Sequence, residues 1–112
     1  MKGNLHITYR HLDSSDALSA LITEKAEELE LHCGHPLECR VTIDPLGSPA
    51  RLKRCRVHVT VSLRGKTLVA DRPPSSHEGH DDPYLAVREA FRSVRHELDR
   101  FTQQRFPRRD AR

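Results

Sequence analysis

Arg88, Arg92 and Arg95 recur at four- and three-residue spacing in the stretch that opens at Asp82-Pro83-Tyr84. On a helix their guanidinium groups project from one flank. A guanidinium is a planar, permanently charged fork that meets phosphate or carboxylate oxygens two at a time. Three such groups in a row repel one another, and only Glu89, Glu97 and Asp99 are near enough in sequence to offset them. An external anion sharing the site explains the row; an ordinary solvated helix face is the competing explanation. The chemistry on offer is anion binding with no covalent step.

Other reactive residue types form weaker patterns. His32-Cys33-x-His35 with Cys39, and His77 with His80, are the groupings that most suggest a metal site. Structural zinc sites pair their ligands in two tight clusters, and one loose cluster does not meet that requirement, so no metal and no cofactor is expected. The eight histidines gain charge as pH falls toward about 6, which would strengthen a contact with an anion. Asp81 and Asp82 are adjacent carboxylates, but their place before Pro83 fits helix capping better than acid-base work. Tyr84 reads as a packing residue with a hydroxyl for local bonding. With no nucleophile beside a base and no glycine-rich phosphate loop, neither an enzyme nor a small-molecule substrate is expected.

The elements that must position the arginines follow from periodicity. Tyr84, Val87, Phe91, Val94, Leu98 and Phe101 form an apolar stripe at helical spacing, about a quarter turn from the arginine row. Pro83 stands at the first position of that helix, where a missing amide hydrogen costs nothing, and Asp82 is its cap. Pro107 ends or bends it. Upstream, Leu5, Ile7 and Tyr9 alternate with polar residues as in a strand with one buried face. Asp13, Ser14 and Ser15 offer capping oxygens to a first helix carrying Leu18, Leu21, Ile22, Ala26 and Leu29, which ends near Gly34.

Cys39, Val41 and Ile43 alternate in a second strand that Pro45, Gly47 and Pro49 terminate. Val57, Val59, Val61 and Leu63 give the clearest strand signal, expected at the centre of the sheet. Arg64-Gly65-Lys66 turns the chain into Thr67-Leu68-Val69-Ala70, an edge strand behind a basic hairpin tip. Asp71 to Asp82, rich in proline and polar residues, reads as a mobile loop. The expectation is an α+β fold in the order β-α-β-β-β-α, with two helices on one face of a four-stranded mixed sheet.

Size and composition bound the rest. The 112 residues suffice for one core, expected over residues 1–106, with a basic tail at 107–112. Charged residues make up 31%, and no apolar run approaches the roughly 20 residues needed to cross a bilayer. The polar start and the odd count of three cysteines fit a reducing cytoplasmic setting. Net charge is +3, unevenly spread: residues 1–50 hold four Lys and Arg against eight Asp and Glu, and residues 51–112 hold fifteen against eight. That imbalance favours a polyanionic partner, nucleic acid rather than a membrane surface.

Three segments carry a family resemblance: Ile7-Thr8 followed by Ser15-Asp16-Ala17-Leu18 through Leu29; Val57-His58-Val59-Thr60-Val61; and Glu78-Gly79-His80-Asp81-Asp82-Pro83-Tyr84-Leu85-Ala86-Val87. The last resembles a glycine-x-aspartate-x-tyrosine entry to the second helix with a two-residue extension. Together they resemble the short ribosome hibernation factors, the bacterial family once called sigma-54 modulation proteins. The resemblance implies a small protein on the small ribosomal subunit, against its ribosomal RNA, in the channel used by messenger and transfer RNA. Its members inhibit translation by occupancy, and some also promote pairing of inactive ribosomes.

Carried onto this chain, the resemblance marks Arg88, Arg92 and Arg95 first as RNA contacts, with Lys25 on the first helix and Arg64 and Lys66 at the hairpin tip behind them. The chain departs from the pattern in its first helix, where Glu24, Glu27, Glu28 and Glu30 surround the single Lys25, and in the apparent insertion Pro73-Pro74-Ser75-Ser76. It resembles a short form, without the extra carboxy-terminal domain of longer members. Two other readings stand beside this one. Acidic first and basic second helices fit a protein-interaction module that pairs with a partner or a second copy, and the α-β-β-β-α portion fits a general double-stranded RNA binder.

Overall fold

Val57, Val59, Val61 and Leu63 all turn to one side of a strand and are buried there, while Arg56, His58, Thr60 and Ser62 face away. The same alternation runs through every strand, so the sheet has one apolar face, and both helices lie on it. The computed structural model describes residues 3–11, 13–45, 55–63, 65–72 and 83–105. Within them the elements are β1 (Asn4–Tyr9), α1 (Asp16–Cys33), β2 (Glu38–Pro45), β3 (Cys55–Leu63), β4 (Lys66–Arg72) and α2 (Pro83–Arg105). The expected order and α+β class are observed.

The sheet runs β1-β2-β3-β4. β1 pairs parallel with β2 through the α1 crossover, with Ile7 opposite Val41. β2, β3 and β4 form an antiparallel meander, with Val41 opposite Val59 and Val59 opposite Ala70. β3 is therefore interior and β4 an edge. Its hairpin closes Leu63 on Lys66 through a two-residue loop in which Gly65 takes φ +81°, a conformation costly for any residue with a Cβ.

Local chemistry sets the bounds of α1. Ser15 has extended backbone, and its Oγ accepts from the Leu18 amide at 3.2 Å while its carbonyl accepts from Ser19 at 2.9 Å. At the far end Gly34, at φ +80°, donates its amide to the Glu30 carbonyl at 2.9 Å. Tyr9, at the end of β1, donates its hydroxyl to the Ser15 carbonyl at 3.0 Å and lies 2.8 Å from Ser19 Oγ, which ties the strand to the first turn of the helix.

Leu18, Ile22, Ala26 and Leu29 of α1 and Val87, Ala90, Phe91, Val94, Leu98 and Phe101 of α2 complete the core over Cys39, Val41, Ile43, Val57, Val59 and Val61. Each fully buried aliphatic side chain stabilises the fold by about 1.5–3 kcal/mol relative to exposure. Cys39 is fully buried among them, and burial together with the nearby Glu30 charge pushes its thiol from 9.0 up to about 12.

One expectation is corrected. Asp71 and Arg72 are not loop: they extend β4 opposite His58 and Val57. Pairing with the long β3 overrides the loop-like composition, and Asp71 Oδ1 lies 3.4 Å from Arg56 Nε and 3.8 Å from His58 Nδ1. The rest of the expected loop, the Asp82 cap, Pro107, His77, His80 and the 107–112 tail lie outside the described residues. No described helix is long and apolar enough to cross a membrane.

Candidate nucleic-acid interface

Alternation of buried and exposed positions along α2 fixes where its cations stand. Val87, Phe91 and Val94 point into the core, and the residue after each is an exposed arginine: Arg88, Arg92 or Arg95. A step of one residue on an α-helix is a turn of about 100°, so the arginines emerge at the border of the buried stripe, beside α1. Lys25 stands on the facing side of α1, one position before the buried Ala26, with its side chain 27% exposed.

The two helices meet along a groove of about 250 Å³ lined by Lys25, Glu28, Leu29, Arg88, Phe91, Arg92 and Arg95. Four of the six expected contact residues are thus brought together. Lys66 does not line the groove; it lies exposed at the start of β4, and Arg64 falls outside the described residues.

Cation excess is the electrical signature of the groove. Lys25 Nζ is 3.3 Å from Glu28 Oε1, an exposed i,i+3 pair within the groove lining. No described carboxylate lies within ion-pair distance of Arg88, Arg92 or Arg95. Of the three acids that could offset them, Glu97 faces Arg100 at 3.9 Å and Asp99 faces His32 at 2.6 Å, while Glu89 and Glu97 border Arg92 in a neighbouring depression without pairing with it. Glu30 is turned toward the start of β2, where its Oε2 accepts from the amides of Gly3 at 2.8 Å and Leu37 at 2.9 Å.

Sequence spacing alone misses the link between His32 and Asp99, which are 67 positions apart. It also misses Glu28 as the partner that orients Lys25, although an i,i+3 acid-base pair is a signal that could have found it. Among the described residues no group of three or more His, Cys, Asp or Glu could hold a metal ion. What the groove offers chemically is a row of guanidinium and ammonium donors with a net positive charge.

Solved structures of similar fold include the N-terminal domain of Protein Y from Thermus thermophilus, with a TM-score of 0.69 at 20% identity over 90% of this chain and 99% of that one. A ribosomal subunit interface protein from Coxiella burnetii matches with a TM-score of 0.65 at 19% identity, over 88% of this chain and 97% of that one. At such identities the likeness establishes the fold. No curated protein matches the sequence. The family model described as sigma 54 modulation protein / S30EA ribosomal protein matches residues 5–105, nearly the whole length, and the chain belongs to that family.

Proposed function

We propose that this protein binds the ribosome and inhibits translation, docking on ribosomal RNA of the small subunit near the decoding channel through Lys25, Arg88, Arg92 and Arg95. The observation that carries this reading is the row of exposed arginines without described carboxylate partners, faced across a groove by a lysine. Folded RNA offers closely spaced phosphates, and every cation that meets one releases a condensed counterion, so a preassembled cluster binds more strongly than scattered charges. Arg64 and Lys66, at the hairpin tip, are secondary contacts.

The family description names a ribosomal protein, and one solved neighbour is called a ribosomal subunit interface protein, which supports the ribosome as partner. Inhibition follows from occupancy: a rigid two-layer body in the channel excludes messenger and transfer RNA without a chemical step. The site of action is the cytoplasm. Residues 1–106 act as the unit that binds, and residues 107–112 add basic charge.

The test is co-sedimentation of the purified protein with isolated small and large subunits, paired with a cell-free translation assay. Binding to the small subunit together with dose-dependent inhibition is expected. Equal binding to any RNA duplex, with no subunit preference and no inhibition, would contradict the reading.

A further inference from the structure

Charge in the groove between α1 and α2 exceeds what its own carboxylate can offset. Lys25, Arg88, Arg92 and Arg95 supply four cations and Glu28 one anion. From Arg88 to Arg95 the helix advances about 10 Å, so the cations form a short track rather than a point. Leu29 and Phe91 close the floor and are only 3% and 4% exposed, so what a ligand meets is chiefly the charged side chains and their stems. Charge is what distinguishes this groove as a binding site. With four cations against one carboxylate the lining keeps a net positive charge, so an anion carrying several charges in one flexible chain gains more from it than a simple anion does.

We propose that this groove binds free oligophosphates, the phosphate chain of a nucleotide or of inorganic polyphosphate, and that the bound chain competes with the ribosome. The competition, though not the binding itself, rests on the ribosome reading of the same groove. Three phosphates in sequence match the lining charge, with the arginines contacting successive groups and Lys25 closing from the opposite wall. A free oligophosphate would thereby release the protein when such anions are abundant and leave it bound when they are scarce.

The experiment is calorimetric titration of the intact protein with tripolyphosphate, a nucleoside triphosphate and orthophosphate at matched ionic strength. Saturable one-to-one binding of tripolyphosphate at least about tenfold tighter than orthophosphate is expected, with about a tenfold loss in Arg92→Ala and in Lys25→Ala. Glu28→Gln should tighten it. Equal binding of the nucleoside triphosphate makes free nucleotides a competent source; its failure beside tripolyphosphate binding leaves inorganic polyphosphate, and either result supports the site. Non-saturable uptake, equal affinity for orthophosphate, or unchanged affinity in a folded Arg92→Ala would overturn it. Tripolyphosphate should also displace the protein from ribosomes at constant free magnesium. Displacement that fails despite tight binding overturns the competition. A protein that binds tripolyphosphate but no ribosomes leaves the site standing and sinks the proposed function; one that binds ribosomes through Arg92 but ignores tripolyphosphate sinks only the present inference.

Discussion

His32 Nε2 lies 2.6 Å from Asp99 Oδ1, joining the last turn of α1 to α2 at one end of the basic groove. It adds one polar tie to the apolar packing of the two helices, which places Lys25 across the groove from Arg88, Arg92 and Arg95. Both side chains are partly solvated, which limits the bond's worth to about 0.5–1 kcal/mol. His32→Ala should therefore lower the urea midpoint slightly without altering the far-ultraviolet spectrum. A loss above about 2 kcal/mol would mean that His32 has a packing role this geometry does not provide.

A second junction is stiffer. Glu30 Oε2 gathers the Gly3 and Leu37 amides, and a Cβ built on Gly3 would stand 1.8 Å from the Leu37 carbonyl oxygen. Gly3→Ala must push β1 away from the start of β2, while Glu30→Ala leaves two part-buried donors without that acceptor, at about 1–3 kcal/mol. Because both changes act on one junction, the double variant should be less destabilised than the sum of the singles. Strictly additive urea unfolding energies would show the two sites to be independent.

Cys39 gives the fold a pH dependence at the alkaline end. Its thiol is raised from 9.0 to about 12 by burial first and by the Glu30 charge second. Between those two values the unfolded chain gives up the thiol proton while the folded chain keeps it, so stability is full below pH 9 and falls as pH rises through the window. The slope is at most about 1.4 kcal/mol per unit. Urea unfolding at pH 8 and pH 10 should show wild type losing about 1 kcal/mol more than Cys39→Ala. Parallel losses in the two proteins would refute the assignment.

Much of this architecture is legible without coordinates, because each strand buries alternate residues and each helix a 3.6-residue stripe. Val57 to Leu63 and Val87 to Leu98 could be assigned to buried faces from spacing alone. Ala90, fully buried, escapes that reading since alanine carries too little apolar area to mark a face. Asp71 and Arg72 escape it for another reason: composition speaks for loop, and only the register with His58 and Val57 makes them strand. Lys25 could be marked by its type, yet its place across from the arginine row depends on how α1 packs on α2. Glu30's contact with the Gly3 and Leu37 amides likewise depends on the chain's return to β2 and has no signal in local spacing. Tertiary pairing, absent from any local pattern, decides these cases.

The central claim is that the arginine row of α2 binds ribosomal RNA while contributing little to the fold. Replacing Arg88, Arg92 and Arg95 together by alanine removes three exposed side chains with no described ion-pair partner, so unfolding energy should stay within about 1 kcal/mol of wild type. The direct measurement is small-subunit co-sedimentation of wild type and triple variant across a salt series. Weaker binding, with a log-log salt slope reduced by about two to three, is the predicted result. Identical affinity and slope for the two proteins would contradict the account.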